Sequence, residues 1–271
     1  MAGRRFLVGA TLVTLVLALV VIVLGAYVRL SDAGLGCPDW PGCYGRLVAP
    51  DAKEAAPLAA EYVRPLETGK AWKEMIHRYG AALLGLAIVG LAILSWQRRD
   101  LPGQPLKVPL LLVVLVIFQA VLGMWTVTLL LKPLVVVLHL LGGFTVLALL
   151  WWSALDNGLL DSGPGSGFER ATLRPFRWWA VLGIIVLIGQ VALGGWTSSN
   201  YAALACPDFP TCHGEWWPPA DFTEGFVLWR GLGQDYEFGV LDGPARVAIH
   251  IAHRVGAVVT FLYIAGLAIG L

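Results

Sequence analysis

Charge is what this 271-residue chain has least of: Asp, Glu, Lys and Arg make up 14% of it, against 58% hydrophobic residues. A soluble domain of this size has too few polar groups to cover that much apolar surface, so lipid must be part of its solvent. The net charge is only +1, which argues against a nucleic-acid partner. No A-x-A-like cleavage site follows the first apolar run, Phe6–Val28, and the run is too long for the h-region of a signal peptide. It reads as a retained membrane span. Cysteine is scarce as well. All four lie in two short runs, CPDWPGCYG at 37–45 and CPDFPTCHG at 206–214. Neither has the C-x-x-C spacing of a strong thiol-redox signal. A zinc site would need at least three clustered ligands. His213 offers one beside Cys212, but Tyr44 takes that place in the first run.

What is abundant is apolar sequence of spanning length. After Phe6–Val28, further spans are expected near Met75–Trp96, Val108–Leu131, Pro133–Trp152, Trp178–Trp196 and Val247–Leu271. Arg4 and Arg5, then Arg98, Arg99 and Lys107, then Arg170, Arg174 and Arg177 place the N-terminus and two loops on the cytoplasmic side. Trp96, Trp151, Trp152, Trp178 and Trp179 then form the inner aromatic belt. The loops at 29–74 and 197–246 face outward. In a bacterial periplasm or at a cell surface, disulfides persist there.

The cysteine runs belong to a longer repeat. The first span ends Leu24-Gly25-Ala26-Tyr27-Val28 and the fifth ends Leu193-Gly194-Gly195-Trp196-Thr197. The third carries Gln119-Ala-Val-Leu-Gly-Met-Trp-Thr126, matching Gln190-Val-Ala-Leu-Gly-Gly-Trp-Thr197 of the fifth. Each even span carries one histidine followed by small residues: His77 before Gly80 and Ala81, His139 before Gly142 and Gly143, His253 before Gly256 and Ala257. The unit is a helical hairpin, and two hairpins make one half. The expected fold is all-α and integral to the membrane, with two pseudo-repeated helical bundles. Residues 1–153 form a complete four-helix half, 154–177 a cytoplasmic linker, and 178–271 a second half with two helices only. The sixth span reaches Leu271 without a basic inner anchor, so a truncated chain is expected rather than a lost hairpin.

A histidine inside a membrane span is a functional candidate, with interhelical polar glue as the plain alternative. Equal depth favours ligation for His77, His139 and His253. Two axial imidazoles on facing helices suit one flat haem held edge-on. The small residues after each histidine leave room for a planar ligand, or allow close helix packing. Glu74 lies one turn before His77, where a carboxylate steers a proton or merely meets interfacial water; His250 stands at the matching place before His253. Arg78 and Arg254 suit haem propionates, or snorkel to lipid headgroups. Each cysteine pair either stabilises a helix junction or is a readily reduced device at an exposed face.

In combination, LGAYVRLSDAGLGCPDWPGCYG, EMIHR, VLHLLGG, CPDFPTC and AHRVGA resemble the haem A synthase family, from the first span to the sixth. The resemblance implies an eight-helix membrane oxidoreductase in two similar halves, oxidising a methyl group of haem O to the formyl group of haem A through an alcohol. It implies His77 and His139 as iron ligands of the substrate haem, Glu74 in a catalytic role, and His253 as one ligand of a haem b. It further implies disulfides Cys37–Cys43 and Cys206–Cys212, the first taking part in the reaction. The implied partners are haem O synthase (protohaem farnesyltransferase), an electron acceptor and membrane lipid, in a bacterial inner membrane. Helices seven and eight of that family, with the second haem b ligand, have no counterpart here. A bis-histidine cytochrome b for electron transfer and a non-enzymatic haem carrier or assembly module are the alternative readings.

Overall fold

The computed structural model describes residues 2–54, 57–58, 61–62, 64–100, 104–159 and 176–270. Among them the regular structure is helical apart from two isolated β-bridges. Six helices are long and apolar enough to cross a membrane. They are α1 (Ala2–Leu30), α2 (Thr68–Gln97), α3 (Lys107–Thr128), α4 (Pro133–Asp156), α5 (Arg177–Ser199) and α6 (Gly243–Gly270). This is an all-α integral membrane protein. A helix keeps its backbone hydrogen bonds internal, as lipid requires. Hydroxyls within the spans can be satisfied on their own helix: Thr11 and Thr14 donate to the carbonyls of Leu7 and Ala10 at 2.8 and 2.9 Å. Large apolar side chains such as Val13, Leu86 and Phe261 stand more than two-thirds exposed, the faces that lipid covers. Trp151, Trp152, Trp178 and Trp179 are exposed near the ends of α4 and α5.

The spans run where hydropathy places them, with instructive differences at their ends. α2 begins at Thr68 rather than near Met75, and α6 at Gly243 rather than near Val247. These added turns bury Ala71 and Glu74 in α2 and Ala245 in α6. They are amphipathic rather than apolar, so a search for apolar runs passes over them. α3 stops at Thr128, because Leu130 and Leu131 take left-handed φ values of 52° and 59° in the tight turn before Lys132. Arg170 and Arg174, and most of the expected linker, lie outside the described residues.

The chain divides into two compact units. One is Met1–Leu131 with Leu138–Leu160, the other Lys132–Val137 with Asp161–Leu271. In the first, α1 lies against α2 and α2 against α3 with close backbone approach. Ala18, Val21, Leu84, Ile88, Leu91, Leu112, Val146 and Leu150 form a core contributed by all four helices. A second cluster, with Cys37, Cys43, Tyr44, Ala71 and Met75, roofs the N-terminal end of α2. In the second unit α5 lies against α6. Tyr263 of α6 donates its hydroxyl to the Trp179 carbonyl at 2.8 Å, tying the two helices at one end. Cys206, Cys212, Val247 and Ile251 form the equivalent of the roof cluster.

Candidate functional site

The two cysteine runs fold alike, and the residues between the cysteines show why. Cys37 bonds to Cys43 and Cys206 to Cys212, leaving no free thiol among the described residues. Asp39 accepts the backbone N–H of Tyr44 and of Gly45, at 2.6 and 2.8 Å. Asp208 accepts those of His213 and Gly214, at 2.6 and 3.0 Å, and also the Thr211 hydroxyl. A short Asp side chain reaching forward in this way holds a turn closed. In both turns the glycine that follows has positive φ, 74° at Gly45 and 79° at Gly214. Hydrogen bonding by Thr211 and the Gly214 N–H holds the Asp208 carboxyl down at about 2.

Each loop is then pinned by an arginine one residue after a histidine. Arg78 donates to the carbonyls of Asp39 at 2.8 Å, Pro41 at 3.3 Å and Gly42. Arg254 donates to Thr211 at 2.8 Å, Asp208 at 2.7 Å and Cys206 at 3.3 Å. The guanidinium groups expected to meet propionates are thus directed at loop carbonyls, where a planar fork serves several acceptors at once. Here the two units part. Arg78 also pairs with Glu74 at 2.5 Å, and the second Glu74 oxygen accepts the Cys37 N–H at 2.9 Å. Glu74 is 4% exposed, so this buried carboxylate is fully engaged. In the second unit His250 replaces it, with Nδ1 2.9 Å from the Ala202 carbonyl.

Below the arginines lie the histidines, and each packs on a glycine of the preceding helix. A Cβ on Gly25 would meet His77 Cε1 at 2.9 Å; one on Gly123 would meet His139 Cε1 at 3.4 Å; one on Gly194 would meet His253 Cε1 at 3.2 Å. The contact is returned one turn further on. Gly80, Gly142 and Gly256 each receive the side chain four residues before the partner glycine: Val21, Gln119 and Gln190. These small residues therefore serve close helix packing. Gln190 places Nε2 3.0 Å from His253 Nδ1. His77 Nδ1 and His139 Nδ1 are buried without a hydrogen-bond partner.

His77 on α2 and His139 on α4 belong to one unit and are near enough to interact electrostatically. They lie between the roof cluster and the bundle core, whose members begin at Leu84 on α2 and Val146 on α4. Two imidazoles brought near each other by two helices of one unit fit the axial donor set of a haem. Among the described residues no three His, Cys, Asp or Glu side chains gather as a bare metal ion would need. Sequence reading missed Asp39 and Asp208 as loop locks, the arginines as loop pins, and Gln119 and Gln190 as neighbours of the histidine rings. The signal for the glutamines was present, since they open the matched runs ending the third and fifth spans.

Residues 9–271 match a protein family described as cytochrome oxidase assembly protein. A protein of Shewanella oneidensis named haem A synthase is 47% identical over 252 residues, covering 92% of this chain and 74% of that protein. Haem A synthases of Shouchella clausii and Halalkalibacterium halodurans are 28% and 24% identical, over 76% and 87% of this chain. The chain spans 63% and 66% of the length of those two relatives.

Proposed function

The chain belongs to the haem A synthase family of cytochrome oxidase assembly proteins, a family of oxidoreductases, and from that premise we propose that it oxidises a methyl group of haem O to the formyl group of haem A. The observation that carries this reading is the juxtaposition of His77 and His139 in one unit, near enough to interact electrostatically. These two residues hold the iron of the substrate haem from α2 and α4. Glu74, one turn before His77, is a buried and engaged carboxylate. Arg78 and the Cys37 N–H fix its position, and its carboxylate is the group that takes up a proton released in the oxidation. The Cys37–Cys43 loop roofs the site and sets the place of Glu74 through that N–H.

Overall, a methyl group and one water become a formyl group with loss of four protons and four electrons, so an electron acceptor outside this chain is required. His253, with Arg254 beside it, would hold a haem b from one side, and that haem would supply a one-electron relay. Substrate arrives from haem O synthase, the product of a farnesyltransferase reaction, and its apolar tail rests in lipid. The relatives are bacterial, which supports reading the protein as a multi-pass enzyme of the inner membrane. In this reading the N-terminus and Arg98–Arg99 are cytoplasmic, and both cysteine loops face outward. A reporter fused at Arg99 should be inactive outside the cell.

The test is chemical identification of the extracted haem after turnover with haem O. Haem A, or haem O hydroxylated at the methyl, is the expected product. Recovery of unchanged haem O under conditions where a haem A synthase relative converts it would contradict the reading.

A further inference from the structure

We propose that Gln119 is the positioning residue for the His139 ring, and that Val21, in the equivalent place, leaves His77 the less firmly oriented of the two haem ligands. The inference rests on the reading of His77 and His139 as axial ligands. It starts from the three hairpins being built to one register. In each, a glycine on the first helix receives the histidine ring, and the residue four places earlier fills the notch beside the glycine three places after that histidine. Those filling residues are Val21, Gln119 and Gln190. In the α5–α6 hairpin the register puts an amide against the imidazole, with Gln190 Nε2 3.0 Å from His253 Nδ1. The same register in the α3–α4 hairpin places the Gln119 amide beside His139.

Two further observations concern Gln119. Its side chain is buried with Nε2 unpartnered, in the same hairpin as the unpartnered Nδ1 of His139. The amides also lie in opposite senses. Gln190 turns its oxygen toward the Gly256 notch, whereas Gln119 turns Nε2 into the Gly142 notch and keeps Oε1 further out, 3.4 Å from the same point. A histidine that gives Nε2 to iron carries its proton on Nδ1, and needs an acceptor there rather than a donor. Gln119 has the sense that supplies one. An accepted Nδ1–H fixes ring and tautomer and makes the imidazole a stronger donor to iron. Val21 has no side-chain acceptor to add to its backbone contact with His77. One ligand has an amide beside it, and the other only packing on Gly25 and the Val21 backbone on this face.

Three variants and two readouts test this: haem titration, and the reduction potential of the bound haem. Q119L keeps the shape and removes the acceptor; it should weaken haem binding by about 10- to 100-fold and raise the potential. Q119E keeps an acceptor and adds negative charge, so it should retain binding and lower the potential. V21Q places the missing amide over the Gly80 notch and should tighten binding and lower the potential. Opposite shifts from Leu and Glu at one position are the signature that packing alone does not produce. Equal or absent shifts in Q119L and Q119E, with haem lost in H139A, would show Gln119 to be a packing residue. Haem held unchanged in H139A would overturn the ligand assignment itself. V21Q keeps the test alive should Q119L fail to fold.

Discussion

The two cysteine loops share one scaffold and differ in one side chain beneath it. Each has a disulfide across six residues, an aspartate closing the turn and an arginine on the loop carbonyls. Yet the first loop meets a buried carboxylate, Glu74, where the second meets an imidazole, His250. A loop that only braced two helices would not need an ionisable group joined to its cysteine backbone. The difference teaches that one scaffold accepts different ionisable side chains beneath it, a carboxylate in the first copy and an imidazole in the second.

The largest effect should come from breaking the arginine pins. R78A removes the partner of a buried carboxylate as well as a donor to three carbonyls, and should cost roughly 3 kcal/mol or more of stability. R254A removes a loop pin without orphaning a carboxylate, and should cost less. Thermal unfolding in detergent reads both; an equal loss would mean that Glu74 adds nothing to the first pin. Lysine should not rescue Arg78, because a point charge cannot serve Glu74 and the loop together.

Next in size are the cysteines. Opening either loop should cost a similar roughly 2 kcal/mol, the entropy of so short a closure. Activity should separate them: C37S displaces the N–H that holds Glu74, whereas C206S disturbs no carboxylate. Parallel losses of activity in the two variants would reduce both disulfides to bracing. E74Q sharpens the same contrast. An amide oxygen still accepts the Cys37 N–H, so haem should stay bound with near-native ligation while turnover stops. Full turnover by E74Q would remove Glu74 from the chemistry.

The smallest effect concerns the second loop and pH. The Asp208 carboxyl is held down at about 2 by Thr211 and Gly214, below its ordinary value near 3.8. Its contribution is therefore complete above pH ~4 and fades as pH falls toward 2. Reduction of Cys206–Cys212 should quicken over that window in the native protein and lose that dependence in D208N. A D208N protein with the same acid dependence would point to another group.

Much of this arrangement was legible in the sequence. The six spans, the hairpin repeat and the even-helix histidines all follow from apolar run length and matched spacing, signals that survive without tertiary contacts. The amphipathic first turns of α2 and α6 did not, because hydropathy averages hide a buried Glu74 beside exposed neighbours. Nor did the use of Arg78 and Arg254. A basic residue near a membrane surface has lipid, propionate and carbonyl partners open to it, and the fold decides which it meets. The glycines after each histidine showed the opposite limit: sequence revealed a notch, but the structure showed that Val21, Gln119 and Gln190 fill it.

The central claim is that the first unit, and not the second, holds the substrate through His77 and His139. Its most direct test is the low-spin bis-histidine spectrum of haem O added to the native protein and to H77A, H139A and H253A. The low-spin signal should become high-spin or vanish in H77A and H139A and persist in H253A. A low-spin haem O complex in H139A that is still oxidised would contradict the claim and leave His139 as polar glue between helices.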